Sequence, residues 1–165
     1  MPGQLFRARG SRSLPPKLFY RSPRGEVPEG EHVVPLGKAR IARQGEEVTL
    51  IAYGAMVAVC DRAAEATGIS CEVVDIRSLR PLDEETILAS VAKTGRVAIV
   101  HEAPRTAGFG AELAAVIAEK ALLDLQAPVL RVTGYDVPYP YWQLEDLYVP
   151  SVERVSDAVR RLLDF

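Results

Sequence analysis

Three short stretches, "VTLIAY" (Val48 to Tyr53), "CEVVDI" (Cys71 to Ile76) and "RVAIV" (Arg96 to Val100), constrain the fold more than anything else in the chain. Each is nearly continuous in apolar residues, the pattern of a strand covered on both faces. Between and after them the apolar spacing changes to threes and fours. Ala55 to Thr67 reads as a helix stopped by Gly68. Asp83 offers an N-cap for a second helix, Glu84 and Glu85 suit its positive end, and Lys93 and Gly95 close it. A third helix, Ala111 to Leu125, is expected to bury Leu113, Val116, Ile117 and Ala121, and "VLRV" (Val129 to Val132) follows Pro128 as another strand. Ser151 caps a last helix whose Val152, Val155, Val159 and Leu162 share one face.

Alternation of this kind, with right-handed crossovers, predicts an α/β fold: a doubly wound, mostly parallel five-stranded sheet with helices on both faces. The fifth strand is "ARIAR" (Ala39 to Arg43), whose alternation suits a half-buried edge. Its link to Val48 is too short for a crossover, so it is expected to pair antiparallel with the Val48 strand. The division is a leader, residues 1–36, followed by one domain, 37–165. The prolines of the leader are too dense for a helix, and "KLFYRS" within it looks like a segment that docks on something.

Charge bears on function. The net charge is -2, which favours neither nucleic acid nor an anionic membrane as partner. Residues 1–25 hold six cations and no acid, so the remaining 14 cations face all 22 acids: a basic arm precedes an acidic domain. The longest uncharged apolar-rich run, Val48 to Cys60, is too short to span a bilayer. Cys60 and Cys71 make neither a disulfide framework nor half a zinc site and read as inert thiols in a reducing compartment, the cytoplasm or, in a eukaryote, the mitochondrial matrix.

Candidate chemistry gathers at the carboxyl ends of the strands, where ligands bind in such folds. His101 and Glu102 follow the third central strand, beside the loop "APRTAGFG" with Arg105, Gly108 and Gly110. A strand, a glycine turn and a helix are the parts of a phosphate cradle, but the third position of the dinucleotide fingerprint falls on Leu113 and no P-loop lysine follows. His101 titrates near neutrality and is a candidate acid–base group. The plainer reading is that His101 and Glu102 hydrogen-bond the loop and position it. Arg77 is a candidate anion contact, or pairs locally with Asp75 or Glu102. An anion held by Arg77, His101 and the glycine turn is one alternative function. Further on, "GYDVPYPYWQLEDLYVP" concentrates Tyr135, Tyr139, Tyr141, Trp142 and Tyr148 among three prolines. This segment reads either as an interface, for which aromatics are the usual anchors, or as packing against the sheet.

The segments "VTLIAYGAMV", "CEVVDIRSLRPLDEETILASVAKTGR", "VHEAPRTAGFGAEL", "APVLRVTGYDVPYP" and "VPSVERVSDAVRRLLDF" together resemble the C-terminal, transketolase-like domain of the β subunit of thiamine-diphosphate-dependent 2-oxo acid dehydrogenases, over about Lys17 to Phe165. "VHEAP" leans toward the branched-chain (2-oxoisovalerate) type over the pyruvate type. The resemblance implies an assembly domain. Its partners would be the α subunit, a second β subunit and the peripheral subunit-binding domain of the acyltransferase core, the last docking on acidic groups such as Asp164 and the carboxylate of Phe165. It implies no catalytic residue and no bound cofactor or metal in this chain, because thiamine diphosphate and Mg are held elsewhere in the full enzyme; the chain has no Gly-Asp-Gly motif. A stand-alone, non-catalytic interaction module is the remaining alternative. Two positions depart from the family. Ala107-Gly108 stands where Gly-Gly is common, so a positive dihedral there would strain the loop, and Val137 stands where Thr is frequent.

Overall fold

The structure, a computed structural model, describes residue 30 and residues 34–165. "KLFYRS" and nearly all of the basic leader lie outside the described residues. Five strands form one sheet: β1 (Arg40–Arg43), β2 (Val48–Ala52), β3 (Cys71–Asp75), β4 (Val97–Pro104) and β5 (Leu130–Gly134), in the order β1-β3-β2-β4-β5. β3, β2, β4 and β5 are parallel neighbours, and β1 is the antiparallel edge. The helices are α1 (Met56–Thr67), α2 (Glu84–Thr94), α3 (Phe109–Lys120), the single turn α4 (Glu145–Tyr148) and α5 (Val152–Leu163).

The expected doubly wound α/β sheet is therefore present, and the helix ends follow their local signals. Gly68 and Gly95 take left-handed backbone, at φ +68° and +65°, after α1 and α2. Asp83 and Ser151 accept hydrogen bonds from the Thr86 and Arg154 amides as N-caps. One apolar cluster lies between the sheet and α1 with α5, through Val59, Cys60, Val155, Val159 and Leu162 against Leu50, Val73 and Val100. The other lies between the sheet and α2 with α3, through Ile87, Val91, Leu113 and Ile117 against Ile51, Val74 and Ile99.

The pairing of β1 differs from expectation. It runs opposite to β2 but lies beside β3, with Arg40 opposite Asp75 and Ile41 opposite Val74. The connection does not turn back on itself; it passes across the start of β3, where the amides of Glu46 and Glu47 both donate to the Ser70 carbonyl. Gly45 makes this crossing possible. A Cβ there would lie 2.1 Å from the Cys71 carbonyl carbon and 2.3 Å from the Glu72 nitrogen.

Glu72, on β3, is a buried acid between the apolar Cys71 and Val73. It accepts from the Ser90 hydroxyl at 2.6 Å and pairs with Lys93, both on α2. The Thr49 hydroxyl lies 2.8 Å from that of Ser90 and 2.7 Å from that of Thr94. These bonds satisfy the buried polar groups and fix α2 on the sheet. Both cysteines are buried thiols, and burial pushes Cys71 up to about 11 and Cys60 higher still, so neither is a thiolate at neutral pH.

Candidate functional site

The order β3-β2-β4-β5 places the topological switch between β2 and β4. In open α/β sheets this is where the crevice for a ligand opens. Here the crevice is filled. β4 continues past Val100 to Pro104, and His101 is therefore inside a strand rather than at its end. Between Val100 and Pro104, paired with Val132 and Gly134, β4 carries three residues where β5 carries one. Such a bulge bends the strand and re-aims its side chains. His101 is fully buried. Its ring stacks on Tyr53 from the end of β2, with centroids 6.1 Å apart and planes 12° apart, and Phe109 meets Tyr53 edge-on at 6.4 Å.

Gly108 and Gly110 explain themselves by this ring. A Cβ on Gly108 would lie 2.7 Å from His101 Cε1 and 2.3 Å from the Pro104 carbonyl; one on Gly110 would lie 2.3 Å from His101 Nε2. The two glycines let the first turn of α3 close over the imidazole. The space a diphosphate would need in a glycine cradle is occupied by the His101 side chain. Among the described residues no group of three or more His, Cys, Asp or Glu could hold a metal ion. The residues at this strand end thus do not fit thiamine diphosphate or its Mg, and no chemical step is assigned to them.

Among the described residues, none of the hydrogen bonds expected from His101 and Glu102 to the loop has normal geometry. The His101 ring makes only a weak approach to the Ala103 backbone, so the residue positions the loop mainly by packing. Burial, followed by the charge of Arg131, holds its imidazole below the ordinary histidine range. The Glu102 carboxyl is half-buried, and burial raises it above the usual carboxylate range; its charge in turn raises the Tyr53 phenol, which burial raises more strongly. What ties the loop is a pair of contacts that sequence reasoning missed: the amide and hydroxyl of Thr106 both donate to Asp136, each at 2.8 Å. These bonds hold Asp136 below the usual carboxylate range. Asp136 lies inside the aromatic segment, so the loop after β4 and the segment after β5 are laced together.

Arg77 pairs locally, its Nε 3.6 Å from Asp75 Oδ2. The anion site imagined around Arg77, His101 and the glycine turn is not assembled, since one member is paired and another is sealed under the turn. Arg105 is exposed on the loop and donates to the Arg131 carbonyl at 3.4 Å. The aromatic segment divides. Tyr148 points inward and is 4 % exposed, with Tyr139 and Tyr135 edge-on to it at 4.9 and 6.4 Å. Gly134 lets it in, for a Cβ there would lie 2.6 Å from the Tyr148 ring. Tyr135, Val137, Tyr139, Leu144 and Leu147 are at least half exposed, and Tyr141 is 90 % exposed. The backbone at Trp142 begins a 3-10 turn. Asp164 and Phe165 are exposed after α5.

Fold and strand ends together define a doubly wound α/β domain whose switch point is sealed by packing and whose neighbouring loop presents apolar side chains. Residues 37–155 match the family model described as the transketolase C-terminal domain, and the chain belongs to that family. It is 48% identical over 155 residues to the 2-oxoisovalerate dehydrogenase subunit β of Pseudomonas aeruginosa, covering 94% of this chain and 44% of that protein. It is 46% identical to the mitochondrial counterpart from Dictyostelium discoideum, covering 90% and 41%. Against the pyruvate dehydrogenase E1 component subunit β of Bacillus subtilis it is 47% identical, covering 89% and 46%. The chain thus spans less than half the length of these relatives. Among solved structures, a split-gene transketolase described as an inactive β4 tetramer matches with a TM-score of 0.72 at 32% identity, over 87% of this chain and 47% of that one.

Two outcomes follow from this geometry. Ala107 has φ +57°, a left-handed backbone that an alanine adopts only under strain. Ala107→Gly is expected to raise the unfolding free energy by ~1 kcal/mol, read from denaturant melts; an unchanged or lower midpoint contradicts the strain. For His101, the unfolded chain binds the extra proton below the ordinary value of 6.5 and the folded chain resists it. Its contribution to stability is therefore full above that pH and falls as the pH drops below it. His101→Gln should flatten this part of the stability-versus-pH curve, and an equal slope in both proteins would refute it.

Proposed function

We propose that this chain acts as the C-terminal assembly domain of the β subunit of a 2-oxo acid dehydrogenase. The parent reaction is oxidative decarboxylation of a 2-oxo acid, branched-chain or pyruvate, with acyl transfer to lipoamide. Thiamine diphosphate and Mg belong to the rest of that assembly. The observation that carries this reading is the row of exposed apolar side chains from Tyr135 to Leu147, tethered to the strand-end loop through Asp136 and Thr106. Exposed aromatic and aliphatic side chains concentrated in one segment are costly in water and are the usual anchors of a protein interface. The similarity to β subunits of both 2-oxoisovalerate and pyruvate dehydrogenases supports the same role without choosing between the substrates.

The partners proposed are a second β subunit, the α subunit and the peripheral subunit-binding domain of the acyltransferase. For the last, the exposed Asp164 and the Phe165 carboxylate at the end of α5 offer negative charge to a basic surface. Two buried, protonated thiols suit a reducing compartment, bacterial cytoplasm or mitochondrial matrix, and no helix among the described residues is long and apolar enough to cross a membrane.

The test is mass in solution by light scattering, for the chain alone and mixed with an α subunit or a peripheral subunit-binding domain. A dimer or mixed complex is expected, and Tyr141→Ala should weaken it about tenfold or more. A monomer indifferent to every partner contradicts the reading.

A further inference from the structure

We propose that the outer edge of β5 carries a binding pocket for a small phosphate-type dianion, formed by Arg105, Arg131 and Arg154. These three arginines line one pocket of about 310 Å³ together with Thr133, Gly134, Tyr135 and Asp136. They reach it from three separate elements: the loop after β4, the middle of β5 and the first turn of α5. Cations elsewhere on the described surface, such as Lys38, Arg40, Arg43, Lys93 and Lys120, each lie within 4.0 Å of a carboxylate. Among the described residues none of these three arginines does; Arg62, Arg80, Arg96 and Arg161 lack such a partner too, but only Arg105, Arg131 and Arg154 line this pocket together. Three guanidinium groups gathered with a single carboxylate, that of Asp136, repel one another, and that cost is relieved when an anion enters.

The arginines are also held in place before any ligand arrives. Arg105 and Arg131 clasp each other, each donating from Nη1 to the other's backbone carbonyl, at 3.4 and 3.1 Å. Arg154 donates from Nη2 to the Thr133 carbonyl at 2.6 Å and from Nη1 to the Tyr148 and Val149 carbonyls, each at 3.4 Å, and its guanidinium stacks over the Tyr135 ring, 4.6 Å from the centroid. A guanidinium carries five N–H donors in a rigid fork, so donors remain on each after these backbone contacts. Fixed forks bind oxyanions at a smaller loss of side-chain freedom than mobile ones do. Asp136 is the one acid in the lining, and its carboxylate is occupied by Thr106. The pocket therefore holds three positive charges against one negative, a balance that suits a dianion better than a monocarboxylate. The site is separate from the sealed glycine turn at His101 and borders the aromatic segment, with which it shares Tyr135 and Asp136.

The test is an NMR titration of the full chain with inorganic phosphate, at slightly alkaline pH and constant ionic strength, against chloride and acetate controls. Saturable shifts at millimolar phosphate are expected for the amides of Arg105, Thr106 and Thr133 to Asp136 and for the guanidinium Nε–H groups, with little response to chloride or acetate. Arg105→Gln and Arg131→Gln should each weaken phosphate binding about tenfold while leaving the rest of the spectrum unchanged. Arg154→Lys, which keeps the charge and loses the fork, should also weaken it. Shifts that grow linearly and equally in all three salts would overturn the proposal, as would unchanged phosphate affinity in the Arg105→Gln/Arg131→Gln double variant. The wild-type titration decides even where a variant fails to fold.

Discussion

The packing of the His101 ring between the bulge of β4 and the first turn of α3 is the contact on which the strand-end face depends. The imidazole is fully buried, and among the described residues neither nitrogen makes a hydrogen bond of normal geometry. Leaving a buried polar group unsatisfied costs about 1–3 kcal/mol. Stacking on Tyr53 and close contact with Gly108 and Gly110 offset this, and both contacts require the bulge that turns the side chain inward. The resulting arrangement closes the switch point, where a related architecture would admit a ligand.

Closure at His101 determines what the surrounding loops can do. The chain must leave β4 over the top of α3, and it does so through Ala107 in a left-handed conformation. Thr106, just before it, is then aimed at Asp136, which pins the start of the aromatic segment. Tyr148 anchors the other end of that segment by burial against Gly134. Held at both ends, the intervening residues turn Tyr139, Tyr141 and Leu147 toward solvent. Exposure of these side chains is thus a consequence of rigid anchoring, which lowers the entropy lost when a partner covers them.

Elements whose signals are local could be read from the sequence. The apolar runs of β2, β3 and β4 and the caps Asp83, Gly68, Gly95 and Ser151 each depend on a few neighbouring residues, and all stand where they were expected. Placement of β1 could not be read that way, because it rests on Gly45 crossing the Cys71–Glu72 peptide, a contact between distant segments. Glu72 stood unremarked for the same reason, since its partners Ser90 and Lys93 lie on α2. The glycine turn was ambiguous in a different sense. Glycines at 108 and 110 make room for something, and sequence does not distinguish a phosphate from an imidazole seven to nine residues away in the chain. In the aromatic segment there is no helical or strand period, so inward Tyr148 and outward Tyr141 could not be separated. The positive φ at Ala107, by contrast, was foreseeable from the glycine usual at that position in the resembling family.

If the strand-end face is the preformed platform proposed above, it gains order on association only in the aromatic segment. Amide hydrogen exchange, compared between dilute and concentrated chain, reads this out: exchange through β4 and the first turn of α3 is expected to be slow at every concentration, with protection appearing between Tyr135 and Leu147 on association. Fast exchange at His101 to Gly110 in the dilute chain, or association that protects any other surface instead, would contradict it.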